Sequence, residues 1–291
     1  MTSGNETSPN AEQIRYWNEE SGPKWVALHA TIDEQIAPLG LEAIERAGIQ
    51  AGEAVLDIGC GCGATSLQLA ERVGPAGSVT GLDISEPMLA RARERAAESG
   101  FDQLRFVNGD AQTHAFEAGG HDLVYSRFGV MFFQDPTAAF ANLRTALRPG
   151  GRVTFACWQE VGRNGWMLVP LMAAAQHVTL PAPPAAGGPG PFAFADPEHV
   201  RTILADAGFA DIEVASHEAE LTLAGGGDLD QVVDFLLQMG PMGQAFRDLD
   251  ATSQAKAREA VKQALEPHLT PDGVRLPSAT WIVSANNPTP G

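Results

Sequence analysis

Two patterns of hydrophobic positions alternate along the chain. Short apolar runs are separated by stretches in which apolar residues recur every three or four positions. Buried strands that alternate with amphipathic helices are typical of a parallel sheet covered on both faces. The runs that we predict as strands are Ala54–Ile58, Ser78–Asp83, Leu104–Asn108, Asp122–Ser126, Arg152–Trp158, Asp211–Ala219 and Val274–Ala285. We therefore predict an α/β fold with a seven-stranded, mainly parallel sheet and helices on both faces.

The ends of several predicted helices carry local sequence signals. Ser85-Glu86-Pro87, Asp135-Pro136 and Asp196-Pro197 each place a capping side chain next to a proline that suits the first helical turn. Apolar residues also recur at rough helical spacing over residues 14–50, ahead of the first predicted strand. The sequence thus predicts helices after the second and fourth strands, one before the sixth, and a helical segment that precedes the sheet.

This pattern divides the chain into three regions. Residues 1–50 are a helical segment, residues 51–158 hold the first five predicted strands, and residues 159–291 complete the sheet. Two stretches of the last region, 159–195 and 222–273, interrupt the alternation of strands and helices. Both leave the predicted sheet near the edge at which α/β sheets bind ligands, so we expect them to form a helical cap over that edge.

Composition restricts the kinds of partner. The chain has 19 Lys and Arg against 36 Asp and Glu, which gives a formal net charge of −17. Such a surface repels nucleic-acid phosphates and anionic lipid head groups, so we expect neither nucleic acid nor a membrane as partner. No apolar run approaches the ~20 residues that span a bilayer, and Met1–Asn10 lacks the apolar stretch of a signal peptide. We expect a cytoplasmic protein that acts on a small molecule; the oligomeric state stays open.

The cysteines agree with a reducing compartment, because Cys60, Cys62 and Cys157 are odd in number and two of them are one residue apart. Neither a second Cys-x-Cys motif nor a His pair stands at metal-ligand spacing from Cys60 and Cys62. We therefore expect Cys60 and Cys62 to be small residues of a tight loop, and we predict no metal site.

The most informative stretch is Val55–Gly63, where a predicted buried strand contains Asp57 and three alternating glycines lead into a helix. Glycines at this place allow a tight turn and let a ligand approach bare backbone. The helix that follows points its N–H groups toward a carboxylate or a phosphate. Gly59–Ala64 also fits the G-x-G-x-x-A motif of dinucleotide-binding proteins, so the loop alone leaves an NAD-dependent oxidoreductase open.

Three acids near the predicted strand ends point to the ligand. Asp83 ends the second strand, where a carboxylate can accept two hydrogen bonds from a ribose diol. Asp110 follows the third strand and can accept from the adenine amine, while the backbone N–H of Ala111 donates to the ring. Asp57 is unfavourable beside a pyrophosphate but suits an ammonium group. A ligand with an amine, a carboxylate, a ribose and an adenine is S-adenosylmethionine.

With these landmarks the chain resembles the class I S-adenosylmethionine-dependent methyltransferases, and is similar to the small-molecule enzymes of the ubiquinone and menaquinone C-methyltransferase group. The resemblance covers about residues 14–158. The segments that carry it are Val55–Gly63, Gly81–Ser85, Asn108–Ala111, Asp122–Arg127 and Leu147–Gly151. It implies a Rossmann-like fold and an enzyme that transfers the methyl group of S-adenosylmethionine to a small-molecule acceptor.

The resemblance also implies roles for individual positions of the cofactor site. Residues 1–50 fold over the cofactor and residues 51–158 form its binding core. The methionine part of the cofactor is held by Asp57, Gly59, Cys60 and Gly61, with Ser126 near its amine or sulfonium. The ribose hydroxyls are held by Asp83, and the adenine is bound by Ile84, Asp110 and Ala111.

The acceptor side is less determined by the sequence. Phe128 follows the fourth predicted strand and Trp158 ends the fifth, so we expect both at the acceptor, although Phe128 also suits the core. Positioning alone can supply about 7–11 kcal/mol of barrier reduction, so the chemistry requires no dedicated base and we assign no catalytic residue. A non-catalytic S-adenosylmethionine-binding protein, with a blocked acceptor pocket, remains an alternative.

Overall fold

The structure, a computed structural model, describes residues 9–179 and 188–289. Its strands are β1 (Ala54–Ile58), β2 (Ser78–Asp83), β3 (Leu104–Asn108), β4 (His121–Arg127), β5 (Leu147–Trp158), β6 (Ala210–Thr222), β7 (Leu269–Thr270) and β8 (Gly273–Asn286). The main sheet has the order β3-β2-β1-β4-β5-β8-β6. The first five strands are parallel, and β8 lies antiparallel between β5 and β6. The predicted mainly parallel α/β sheet is confirmed.

The number of strands differs from the predicted seven, because β7 is an eighth. This strand is two residues long and pairs with Gly273 and Val274 at the start of β8. The Thr270 hydroxyl donates to the Gly273 carbonyl at 2.8 Å and closes the turn. Two residues are too few to produce an alternating hydrophobic pattern, so this strand has no signal in the sequence.

Strand β5 also begins earlier than the predicted Arg152. The turn residues Pro149-Gly150-Gly151 lie inside it, where Gly150 adopts a φ of 76°. Leu147 already pairs with His121 of β4, and the register shifts between His121 and Leu123. The turn residues therefore accompany an irregularity within the strand instead of a separate loop.

The helices of the described residues are α1 (Ala11–Arg15), α2 (Ser21–Ala47), α3 (Ala64–Val73), α4 (Glu86–Ser99), α5 (Pro136–Ala146), α6 (Gly165–Ala174), α7 (Pro197–Asp206), α8 (Leu229–Leu236), α9 (Gly240–Arg247) and α10 (Ala251–Leu265). A π-helical turn, Tyr16–Glu20, joins α1 to α2.

The connections between the strands place the helices on the two faces of the sheet. From β1 the chain adds β2 and β3 toward one edge of the sheet, and from β4 it adds β5 toward the other edge. Because parallel crossovers are right-handed, α3 and α4 lie on one face of the sheet and α5 on the other. The reversal between β1 and β4 is where open α/β sheets bind ligands.

The two stretches that interrupt the strand–helix alternation contain α6, α8, α9 and α10. Helix α10 packs against α6 and α8, and α6 also contacts β8. The sequence pattern does not predict α9. The segment Pro181–Pro191, which its prolines and glycines predict to be the most mobile internal segment, lies mostly outside the described residues. Within the described residues, no helix is long and apolar enough to cross a membrane.

Candidate functional site

The glycine loop after β1 lies at the reversal point of the sheet. Gly59, Gly61 and Gly63 all have a positive φ, at 64°, 55° and 82°. A Cβ on Gly59 would lie 2.7 Å from the Cα of Gly129, so only glycine fits this approach of two backbones. The Gly59 N–H donates to the carbonyl of Leu82 at 2.8 Å. The loop is thereby held between the ends of β1, β2 and β4 and keeps bare backbone at the site.

Asp57 of β1 is a buried carboxylate below this loop, with no exposed surface. Its Oδ2 accepts hydrogen bonds from the hydroxyls of Ser66 at 2.6 Å and Thr65 at 2.8 Å. Its Oδ1 has no hydrogen-bond partner within the described part of the chain. Burial raises the pKa of Asp57 to about 6, even though the two hydroxyls and Arg127 lower it. A cationic donor at Oδ1 would satisfy both the charge and the vacant hydrogen-bonding capacity.

Asp83, at the end of β2, ties that strand to the glycine loop. Its Oδ2 accepts from the Gly61 N–H and its Oδ1 from the Ser85 N–H, both at 2.8 Å. Burial raises its pKa against the effect of these backbone donors. A carboxylate oxygen can accept more than one hydrogen bond, so Asp83 retains acceptor capacity for a diol. Ile84 beside it is half-buried, and its carbonyl accepts from the Asn18 amide at 2.9 Å.

Asp110 and Ala111 follow β3 at the neighbouring edge of the site. The Oδ1 of Asp110 accepts from the Asn10 amide at 2.8 Å and from the backbone N–H of Gln112 at 2.9 Å. Ala111 is buried, and its carbonyl accepts from the Asn142 amide at 2.9 Å. The structure therefore brings Asp110 together with Asn10, which precedes the range 14–50 over which apolar residues recur at helical spacing.

Ser126 lies at the end of β4, beside the glycine loop. Its hydroxyl donates to the carbonyl of Ile58 at 2.7 Å and accepts from the Gly129 N–H at 3.2 Å. The side chain is 1% exposed. These contacts show that Ser126 joins the ends of β1 and β4, so its hydroxyl already serves the backbone of the site.

Phe128 and Trp158, the residues expected at the acceptor, lie against each other. Phe128 adopts a φ of 63°, which is unusual for a residue with a side chain. Its ring stacks on Trp158 with a centroid distance of 4.1 Å and an interplanar angle of 6°. Trp166 of α6 lies 5.1 Å from the Trp158 ring. The two strand ends and the first helix after β5 thus share one aromatic cluster, in which the Trp166 ring is tilted by 46° against Trp158.

The N-terminal segment covers the end of β2. The Ser85 hydroxyl donates to the carbonyl of Trp17 at 2.7 Å. The Trp17 ring meets Trp25 and Phe132 edge-on, at centroid distances of 5.8 and 5.2 Å. Trp17 therefore connects the N-terminal segment to the loop after β4.

A partly buried ion-pair cluster fixes α2 against the same region. Asp33 of α2 binds Arg127 at 2.8 Å and Arg95 at 3.0 Å. Arg95 also donates to the carbonyl of Cys62 in the glycine loop at 2.9 Å. This cluster has no signal in the sequence, because its members are far apart in the chain and no local pattern marks them.

Cys60 and Cys62 are buried, free thiols. Burial raises the pKa of Cys62 to about 12, so the thiol form dominates at neutral pH. A Cβ on Gly81 would lie 2.9 Å from the Cys60 sulfur. Cys60 thus packs against Gly81 of β2, and both thiols are buried within the glycine loop.

The residues of this site fit S-adenosylmethionine. The vacant Asp57 oxygen suits an ammonium group, and the glycine loop carries no side chain at Gly59, Gly61 and Gly63. Asp83 and Asp110 provide the two other carboxylates that a ribose diol and an adenine amine require. Three acids around a glycine loop suit a cationic ligand far better than a pyrophosphate.

Comparison with known proteins agrees with the geometry. The family described as "Methyltransferase domain" matches residues 55–151. Nocamycin O-methyltransferase from Saccharothrix syringae is 32% identical over 66% of this chain and 71% of its own length. Demethylmenaquinone methyltransferase from Oceanobacillus iheyensis is 35% identical over 38% of this chain, and that match spans less than half of the relative, 47%.

Solved structures show the same fold. The structure described as a methyltransferase from Bacillus halodurans superposes with a TM-score of 0.57 at 15% identity, over 86% of this chain and 99% of that one. The family match includes the glycine loop, Asp83 and Asp110, and the similarity to the O-methyltransferase extends over two thirds of this chain. The chain belongs to the class I S-adenosylmethionine-dependent methyltransferases.

Proposed function

We propose that this enzyme methylates an oxygen atom of a small, partly apolar organic molecule. The vacant oxygen of Asp57 carries the cofactor half of the proposal, because it is buried, unpartnered and suited to the amine of S-adenosylmethionine. The acceptor half is supported by the similarity to an O-methyltransferase over 66% of this chain. A hydroxyl or carboxyl oxygen is the expected nucleophile.

In this proposal, the chain holds the cofactor by its own strand ends. Bound S-adenosylmethionine supplies an electrophilic methyl group on a cationic sulfur. Asp57 and the backbone of Gly59, Cys60 and Gly61 hold the methionine part, with Ser126 bracing the loop. The other contacts are Asp83 to the ribose, Ile84 against the adenine, and Asp110 and Ala111 at the adenine edge. The N-terminal segment excludes water from this half of the site.

The acceptor half is assigned to the aromatic cluster of Phe128, Trp158 and Trp166. Phe128 and Trp158 are buried at the ends of β4 and β5, and the half-buried Trp166 brings α6 to the same place. We assign the apolar lining of the acceptor side to this cluster. The described parts of residues 159–195 and 222–273, with α6, α8 and α10, then form a cap over the acceptor, while residues 51–158 bind the cofactor. Orientation of the acceptor by this lining can supply much of the rate enhancement, so no general base is assigned.

We assign the enzyme to the cytoplasm and to small-molecule substrates without a nucleic-acid partner. The support is the net charge of −17 and three cysteines that are all buried and free.

The direct test is incubation with S-adenosylmethionine that carries an isotope-labelled methyl group and a metabolite extract of the source organism. Mass spectrometry should show products that gain the label, and the Asp57→Ala variant serves as control. Labelling absent from every product, despite tight binding of S-adenosylhomocysteine, would favour a non-catalytic cofactor-binding protein.

Asp83→Ala should weaken S-adenosylhomocysteine binding about 10- to 150-fold, because a hydrogen bond to a charged group contributes ~1.5–3 kcal/mol. The variant should also be less stable, since the Gly61 and Ser85 N–H groups lose their acceptors. Asp83→Asn, which retains one acceptor oxygen, is the matched control and should recover part of the stability. Calorimetry and urea unfolding measure the two effects. An unchanged affinity in Asp83→Ala would show that another group holds the ribose.

Trp158→Phe should impair acceptor use without affecting cofactor binding. The smaller ring keeps an aromatic partner for Phe128 but shortens the apolar lining that Trp158 shares with Trp166. We expect kcat/KM for the identified acceptor to fall about tenfold, as expected for a change of pocket size, with S-adenosylhomocysteine affinity within about twofold of the parent enzyme. A loss of cofactor affinity at normal acceptor kcat/KM would place Trp158 on the cofactor side.

A further inference from the structure

Asn10 stands at an unusual place for a buried asparagine. It directly precedes α1, the position at which an asparagine side chain normally accepts a hydrogen bond from the first turn of the helix. Its side chain makes no such capping bond, and the residue is only 4% exposed. The hydrogen-bonding capacity of this amide is therefore directed away from its own helix.

The Asn10 amide connects three segments that are distant in sequence. Its nitrogen donates to the Oδ1 of Asp110 at 2.8 Å and to the side-chain oxygen of Gln112 at 3.2 Å. Its oxygen accepts from the backbone N–H of Gln134 at 2.9 Å. A backbone N–H can only donate, so the amide oxygen must face Gln134 and the nitrogen must face the Asp110 carboxylate.

These contacts determine the orientation of the Asp110 carboxylate. Its Oδ1 accepts two donors, the Asn10 amide and the backbone N–H of Gln112. Its Oδ2 is within 3.3 Å of the Thr113 hydroxyl. Two convergent donors on one oxygen restrict rotation of the carboxylate and hence fix where the other oxygen lies.

We propose that Asn10 is a positioning residue for adenine recognition: its amide orients Asp110 so that the carboxylate accepts the adenine amine. The inference rests on the proposed function, in which Asp110 binds that amine. Adenine recognition then requires the N-terminal segment to be in place over the site, because Asn10, which orients Asp110, belongs to that segment.

Asn18 offers a matched control for the simpler role of fastening the N-terminal segment. Its amide nitrogen donates to the Ile84 carbonyl at 2.9 Å, and its oxygen accepts from the Glu86 N–H at 3.0 Å. Asn18 thus ties the same segment to the site, but its hydrogen bonds go to the end of β2 and the start of α4. If the N-terminal segment is held less firmly, the affinity for all adenosine-type ligands should fall alike. If Asp110 is no longer oriented, the preference for a ligand with the adenine amine should fall.

The test compares two ligands by calorimetry: S-adenosylhomocysteine, and S-inosylhomocysteine, in which a carbonyl oxygen replaces the adenine amine. The parent enzyme should prefer S-adenosylhomocysteine by about tenfold or more, because the carbonyl oxygen faces a carboxylate. Asn10→Ala should reduce this preference to within about threefold of equality. Asn18→Ala should weaken both ligands by a similar factor and leave the preference intact. In an Asp110→Ala background, Asn10→Ala should have no further effect on the preference.

The outcomes separate this inference from the proposed function. An Asn10→Ala variant that keeps the full preference, or an Asn18→Ala variant that loses as much of it, would reduce Asn10 to a fastening residue and overturn the inference. Both results leave the proposed methyl transfer standing. Failure of the parent enzyme to bind S-adenosylhomocysteine would overturn both.

Discussion

Asp57→Asn should lose most of the affinity for S-adenosylhomocysteine and leave the fold almost unchanged. In the proposed function, the substitution removes the charge that would face the ligand ammonium, but it keeps an oxygen for the Ser66 and Thr65 hydroxyls. Truncating one partner of a buried, hydrogen-bonded charge pair costs about 2–5 kcal/mol, or roughly 30- to several-thousand-fold in affinity. Among substitutions in this site that change the structure so little, Asp57→Asn should have the largest effect on binding.

The stability of this variant follows from the raised pKa of Asp57. For an acid whose pKa is higher in the folded protein, the contribution to stability is fully present below the ordinary pKa of 3.8 and is lost as pH rises through about 6. At pH 7.5 the parent protein therefore carries a penalty of roughly 3 kcal/mol. Asparagine avoids this penalty but leaves a buried amide unpaired, which costs about 1–3 kcal/mol. The free energy of unfolding should stay within about 2 kcal/mol of the parent value.

The same pKa gives binding a specific dependence on pH. A ligand ammonium favours the ionised form of Asp57, so affinity should reach a plateau above pH ~6 and fall by up to about tenfold per pH unit below it. Calorimetry in buffers of different ionisation enthalpy should detect proton release on binding near pH 6. Asp57→Asn should abolish this component. A parent enzyme and variant with equal affinity and the same pH profile would show that the ammonium is held elsewhere.

Gly59→Ala should disrupt the cofactor site through its backbone. The new Cβ would lie 2.7 Å from the Gly129 Cα, and the residue has a φ of 64°. A left-handed conformation costs an alanine about 1–2 kcal/mol, and forced overpacking adds typically 1–3 kcal/mol. The ends of β1 and β4 must move apart to relieve the clash, so S-adenosylhomocysteine binding should be lost along with stability.

Gly48→Ala is the matched control for the backbone conformation. Gly48 has a φ of 59°, and a Cβ there would meet nothing within 4 Å. Urea unfolding should show that the free energy of unfolding of this variant falls only by the cost of the left-handed conformation. Its affinity for S-adenosylhomocysteine should be unchanged. Similar unfolding free energies and affinities for Gly59→Ala and Gly48→Ala would contradict the close approach of the two loops.

The strands could be predicted because each is a short apolar run with a clear end. A run such as Val55–Ile58 is buried on both faces and is stopped by glycines, which gives both the element and its direction. Parallel strands bring their carboxyl ends to one edge, so Asp83 and Asp110 could be expected near the glycine loop from the sequence alone. Strand β7 and the early start of β5 were not predictable, since both depend on pairing with a neighbouring strand.

The partners of the site residues were not predictable, because they come from distant parts of the chain. Asn10 lies 100 positions from Asp110 in a polar stretch without periodicity, and the ion pair of Asp33 with Arg127 joins α2 to β4. The family resemblance implies that Ser126 lies near the methionine part of the cofactor, but a sequence cannot show that its hydroxyl donates to the Ile58 carbonyl. Local patterns locate residues at strand ends; they do not show which hydrogen-bonding groups remain available there.

The central claim is that the three acids around the glycine loop bind S-adenosylmethionine, and one titration tests it most directly. Purified parent protein is titrated at pH 7.5 with S-adenosylhomocysteine and, separately, with NAD. The structure predicts saturable one-site binding of S-adenosylhomocysteine, lost in Asp57→Asn, and no binding of NAD. Saturable binding of NAD without binding of S-adenosylhomocysteine would contradict the assignment of this site.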